Sequence, residues 1–372
     1  MRLRMGILPA LLIASTLLTS QALLAQARVD EVKKPPEKKP SPIKNLQTLK
    51  GAADWVTSVC FSPDGKLLAA GSFDEVAVFA VKDWKLKTTL STRTGYARDL
   101  LFTKDNQHLL VAGYQSISIW DVQTGEKLQD LREQRSYVTG LAFSPDETLL
   151  ASSSEDGSIC IWSMKTKEVT NKITRFRYPA QSVAFSSDGK RIASANGDLD
   201  QVIKPGLVHI FDAETGQELK TFKAHEKAAK FVAFTPDDKY LLSTSQDEKV
   251  NLYALTENII ESKPHGFFAE HGRPTNAAVF AANGKLAISV SGGRAKGKNE
   301  MKIWSIPDGQ EKASLEAHQE KITDVAIAPD GITVATASYD QTVNIWNISK
   351  VIANADNPAK PAEKPAEDDA VE

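Results

Sequence analysis

Only two cysteines occur in 372 residues, Cys60 and Cys160, so a disulfide framework is not what holds this chain together. No paired-cysteine or His-x-x-x-His spacing is present, which leaves no basis for a zinc site or covalently attached haem. Charge of one sign is also missing: 45 basic side chains meet 47 acidic ones, a balance that argues against a nucleic-acid binder. Helical spacing of apolar residues is scarce. Outside the N-terminal segment there is no long apolar run, yet 41% apolar and 25% charged residues describe a globular chain rather than a disordered one.

What the chain has in quantity is repetition. The clause SPDG at residues 62–65 returns as TKDN, SPDE, SSDG, TPDD, AANG and APDG. Each copy is preceded by a short apolar run and followed by two more, the last ending on an aromatic: Phe79, Trp120, Trp162, Phe211, Tyr253, Trp304 and Trp346. Their spacings of 41, 42, 49, 42, 51 and 42 residues match a four-stranded blade, and side chains within the runs alternate with the period of a β-strand. Asp-Gly and Asn-Gly pairs supply the positive-φ positions of tight hairpins between first and second strands. The expectation is all-β, a seven-bladed β-propeller over residues 45–350 forming one domain.

The ends read differently. Residues 1–27 place Arg2 and Arg4 before an apolar run from Met5 to Leu18 and finish on Ala25-Gln26-Ala27, the pattern of a cleavable export signal. An uncleaved membrane anchor is the rival, but it needs about 20 apolar residues, and Thr16, Thr19, Ser20 and Gln21 interrupt this run. No cysteine follows it to carry a lipid. Cleavage would leave an exported chain, periplasmic or secreted, with no transmembrane segment. Residues 28–44 and 351–372 are rich in Pro, Lys, Glu and Ala and are expected as a disordered linker and tail, too polar to offset the entropy of ordering. Cys60 and Cys160 fall in blades that do not adjoin, and are expected as two buried thiols.

On these seven registers, the chain resembles the WD-repeat β-propeller family, of an exported bacterial type. The resemblance implies that the repeat is offset from the blade, so that an N-terminal strand around Leu46 to Leu49 completes the last blade beside Thr342 to Asn347. It also implies a hydrogen-bonded chain of His, Ser/Thr, Asp and Trp within a blade. The seventh blade carries the whole set as His318, Ser338 or Thr336, Asp340 and Trp346. The fifth keeps His225 and Asp247, with Tyr253 in place of the indole. Blade three keeps Asp156 and Trp162 without the His, and blade two has Tyr114 where the Asp belongs.

Three patterns mimic other chemistry. A Ser, His and Asp in one repeat suggest a hydrolase, but here they fit the structural chain. Gly292 to Asn299, GGRAKGKN, approaches a phosphate loop, yet Asn299 fails the last position and a strand follows where a helix must open. Asp198 and Asp200 offer only two carboxylates without regular spacing to a cation. No cofactor and no metal are expected.

Aligning the first strands on Phe61, Phe102, Phe143, Phe185, Phe234, Phe280 and Ile327 exposes a pattern. Nine residues upstream lie His225, His271 and His318; six upstream lie Trp55, Tyr96 and Tyr137, with Tyr178 one further. The same connections hold Arg93, Arg98, Arg132, Arg135, Arg175 and Arg177, and the insertions Asn196 to Gly206 and Gly292 to Glu300 are expected on the same face. Aromatics and Arg dominate binding hot spots. The expected partner surface is Trp55, Arg93, Tyr96, Arg98, Arg135, Tyr137, Arg177 and Tyr178, and the expected function a non-catalytic scaffold, monomeric, gripping a protein or peptide, with an acidic or aromatic-bearing segment as the favoured ligand. A propeller enzyme with a channel metal, of lactonase or hydrolase type, and an envelope structural protein are the alternatives.

Overall fold

The computed structural model describes residues 41–174, 176–200, 204–255, 263–265, 270–293 and 297–356. The expected export signal at 1–27, most of the expected linker, Arg175 and the C-terminal residues from 357 lie outside them. Seven antiparallel sheets follow one another along the chain. Their first strands are Ser58–Phe61, Asp99–Phe102, Val138–Phe143, Ala180–Phe185, Ala229–Phe234, Thr275–Ala281 and Ile322–Ile327. All seven line one central channel, and blades are numbered here in that order. Six sheets have four strands, and blade five has three among the described residues.

The repeated clause makes one recurring turn. In blade one Ser62 Oγ donates to Asp64 Oδ1 at 2.7 Å, the Lys66 and Leu67 amides return to Asp64 and Ser62, and Gly65 takes φ 68°. Thr103 with Asp105, Ser144 with Asp146, Ser186 with Asp188 and Thr235 with Asp237 repeat it. A short polar side chain that satisfies its own turn is why this clause marks hairpins. Neighbouring turns are also tied around the ring, Asn106 accepting from the Asp64 amide and Asp238 from Ser187 and Asp188.

Closure is as expected in kind. Lys44–Leu49 pairs with Val343–Asn347, from Lys44 opposite Asn347 to Leu49 opposite Val343, and becomes the fourth strand of blade seven. The register shifts between Asn45 and Gln47, which leaves Leu46 outside the ladder and 42% exposed. The ordered ring also runs further than residues 45–350. Ile43 is buried against Ile348 and Val351, and a helix, Ser349–Asp356, occupies the first residues of the segment expected as tail. Apolar side chains at 348, 351 and 352 give that stretch a face to bury, which its overall polarity conceals. Cys60 and Cys160 are both free, Cys160 fully buried and Cys60 half-buried on the channel wall.

Candidate functional site

Of the two hydroxyls the sequence offered to the structural hydrogen-bond chain, Thr336 is the one used, and not Ser338. In blade seven Trp346 Nε1 donates to Thr336 Oγ1 at 2.8 Å, Thr336 meets His318 Nε2 at 2.7 Å, and His318 Nδ1 meets Asp340 at 3.0 Å. Ser338 is not a member. Its hydroxyl accepts the Asp340 amide and donates to the Glu320 carbonyl; residues 336 and 338 stand on the same strand face, and the indole of Trp346, two places along the ladder, reaches Thr336. Asp340, bonded to His318 and Thr342, is held down at about 2. In blade five, His225 meets Asp247 and Ser243, but the Tyr253 hydroxyl donates to the Ala224 carbonyl. Blade six holds a chain that the sequence reading passed over, His271 to Ser289 to Trp304, without an acid on His271. In blade three Gln134 stands nine residues before Phe143 and bonds Ser152, which receives Trp162. With the His318 side chain fully enclosed, this triad-like set is closed to any substrate.

The face bearing the connections into each first strand gathers most of the expected partner residues. Trp55 stacks on Tyr96 with centroids 5.9 Å apart and on Tyr339 at 4.2 Å, so three rings from adjoining blades lie nearly parallel. Tyr339 was not among the expected residues. Phe73, 45% exposed, meets Tyr96 edge-on, and Tyr114, 49% exposed, meets Tyr137. Arg98 lies 4.8 Å over the Tyr137 ring and 3.4 Å from Glu155; Arg177 lies 5.7 Å over Tyr178. Gly95, at φ 73°, makes this possible, since a Cβ there would sit 2.5 Å from the Tyr137 hydroxyl. Arg93 and Arg135 are exposed, the latter with its backbone fixed to Asp156 and Gln115. Arg132 is paired with Asp130 at 3.0 Å, which removes it from the group. The insertions do leave from between second and third strands, as expected, and Asp198 to Asp200 reach the channel mouth.

A second layer was not foreseen. Four residues before each aligned first-strand end stand Thr57, Arg98, Thr139, Gln181, Lys230, Asn276 and Thr323, one per blade. In blades three to seven the strand pairing skips this residue, a bulge between Val138 and Gly140, Ala180 and Ser182, Ala229 and Phe231, Thr275 and Ala277, and Ile322 and Asp324. Bulges re-aim side chains. All seven line the channel mouth, a cavity of about 600 Å³. Below them Asp99 accepts the Leu100 and Leu141 amides, and Asp324 the Val325 and Val59 amides, so each carboxylate ties its blade to the next. Deeper still the wall is Cys60, Leu101, Ala142, Ala184, Ala233, Val279 and Ala326.

Enclosure, then the charge of Asp324, pushes Asp99 up to about 7, and enclosure pushes Asp324 up to about 6. Both lie above the unfolded value of about 4. Between about pH 4 and pH 7 the native ring therefore binds more protons than the unfolded chain, and this pair's contribution falls as pH rises through that window. Asp99→Asn is expected to flatten the decline of the urea midpoint between about pH 5 and pH 7. An unchanged slope would assign the decline elsewhere.

Four segments of the chain, residues 43–77, 125–163, 216–253 and 309–347, match the family model described as WD domain, G-beta repeat. They fall on blades one, three, five and seven, each taking in a strand of the preceding blade, which is the offset the resemblance implied. The chain is 23% identical to the guanine nucleotide-binding protein subunit beta of Saccharomyces cerevisiae, over 79% of this chain and 68% of that protein. It is 25% identical to the target of rapamycin complex subunit wat1 of Schizosaccharomyces pombe, over 76% and 74%. To the Arabidopsis thaliana protein named cell division cycle 20.6, cofactor of APC complex, it is 24% identical over 70% of this chain and 60% of that one. Seven sheets around one channel and a closing N-terminal strand make the chain a seven-bladed β-propeller, and four of its repeats match the WD model.

Proposed function

We propose that the chain is a non-catalytic scaffold that binds a protein or peptide on the face carrying Trp55, Tyr96, Tyr339, Tyr114, Tyr137 and Arg98. The observation that carries this reading is the continuous aromatic rim with exposed Phe73 and Tyr114 at its ends. Rings of this kind bury much area at little entropic cost. The relatives support it only in kind, being named as a subunit of a complex and a cofactor of one. An acidic partner segment suits the Arg98 and Arg177 guanidinium groups.

The chain's export is part of the same proposal and rests on Arg2, Arg4, the apolar run and Ala25-Gln26-Ala27. A mature mass beginning at Arg28, measured on protein purified from its native host, supports export; an intact Met1 removes it.

The test of the platform is a triple change, Tyr96→Ala, Arg98→Ala and Tyr137→Ala. Proteins crosslinked to the wild type in native extract are expected to fall at least tenfold with this variant, as loss of two or three anchors of about 2 kcal/mol requires. Undiminished capture by a variant with a normal melting curve overturns the reading.

A further inference from the structure

Resting on the reading of this face as the partner-binding face, we propose that the channel mouth is an anion site, in which Arg98 and Lys230 receive a carboxylate of the partner. The argument is a census of donors in the bulged ring. Thr57 Oγ1 donates to the Ala97 carbonyl at 2.6 Å, Thr139 to Ala180 at 2.6 Å, and Thr323 to Val56 at 2.7 Å. Gln181 Nε2 donates to Gly197, and Asn276 Nδ2 to Gly292 and Ile322. All five neutral residues donate to backbone carbonyls, most of them in the next blade.

The two charged members have donors in excess. Lys230 Nζ bonds Asn276 Oδ1, and an ammonium carries three N–H groups. Arg98 uses Nη2 on Glu155, while its Nε is buried with no hydrogen-bond partner among the described residues. An uncompensated buried donor is costly and marks a place where a ligand atom is gained. Lys321, over the Tyr339 ring, faces the same cavity. The charges acting on Lys230 are those of Lys321 and Arg98, which add to burial in holding its pKa well below the ordinary value. A carboxylate between Lys230 and Arg98 would favour the ammonium form of the lysine and meet the unused donors of both, and bidentate guanidinium contact suits its shape.

The acids nearby do not fill this role. Asp99 and Asp324 stand one residue further along their strands, each already accepting two amides. Glu155 engages Arg98 and the Ser136 hydroxyl, and Asp198 accepts the Asp200 amide at the rim. The acids at the rim act instead as a filter, since a partner carrying a dense acidic run meets them before it meets Lys230. One carboxylate flanked by neutral residues is the form that fits.

Calorimetric titration of the full chain with glutarate, at low salt, tests the site. Saturable binding that weakens at least tenfold in Lys230→Gln and fades with added salt is expected. Two capped peptides of one sequence, differing by a central Glu or Gln, and a third ending in a free carboxylate, then separate a side-chain carboxylate from a chain terminus. Binding of either carboxylate peptide above the Gln control supports the proposal. No saturation by glutarate, equal affinity in wild type and Lys230→Gln, or glutarate binding with neither peptide overturns it. Lys230→Met serves as a second variant, and melting curves show that both fold. Partner capture lost in the Tyr96, Arg98 and Tyr137 variant but kept in Lys230→Gln leaves the platform and removes the anion site. Absent capture by the wild type, with glutarate still bound, removes the platform instead.

Discussion

Deleting residues 41–49 from the full chain is expected to abolish its cooperative unfolding transition. Those residues supply the fourth strand of blade seven, and their loss strips Val343–Asn347 of its partner along the whole ladder. Ile43 and Leu49 leave the core, and Thr48 no longer donates to Asn344 at 2.6 Å. Two buried aliphatic side chains account for about 4 kcal/mol. That is already a large part of the 5–15 kcal/mol available to a typical fold. The greater damage is topological, because a ring held only by the side contacts of blades seven and one exposes a sheet edge that invites association. Size-exclusion chromatography and circular-dichroism melting check this; a monomer with the wild-type midpoint would refute closure by this strand. Addition of a synthetic peptide covering 41–50 is expected to restore part of the transition.

Thr336→Val is expected to destabilise the protein by about 3 kcal/mol, as two buried groups lose their partner for a side chain of almost the same size. The hydroxyl of Thr336 serves the Trp346 indole on one side and His318 on the other. The hydrogens are assigned by the network: the indole donates to the threonine oxygen, the hydroxyl to His318 Nε2, and His318 Nδ1–H to Asp340. Every member is satisfied in one direction only, so a gap in the middle strands both neighbours. Thr336→Ser keeps the hydroxyl and is expected to restore most of the loss, whereas Ser338→Ala leaves the indole and His318 paired and is expected to cost less, its own partners being two backbone groups at 3.1 and 3.3 Å. Urea denaturation of the three variants distinguishes them. Equal midpoints for the Val and Ser variants would place the stability in the methyl group instead.

The fold was legible because a blade is a local unit written seven times. Each Ser/Thr-x-Asp clause fixes one turn through its own side chains, and the aromatic at the end of each third strand marks the register. The closing strand was implied by the resemblance to WD-repeat propellers and not by the repeats themselves. Which hydroxyl joins His318 was not settled, since residues 336 and 338 share a strand face and only the reach of the Trp346 indole decides between them. The rim was half legible: Trp55, Tyr96 and Tyr137 share a register, while Tyr339 reaches Trp55 from the far end of the sequence and has no periodic mark. The bulged ring had a mark that went unused. The position four before each first-strand end is polar in every blade, among residues otherwise small or apolar, and a polar residue recurring at an inward position in all seven blades implies a lined channel.

The apolar wall below Asp99 and Asp324 bears on where a polar ligand is held. Alanine and aliphatic side chains there give a hydrated solute little to grip, so its contacts are gathered at the mouth, beside the loop that bears Asp198 and Asp200, and not in the depth of the ring.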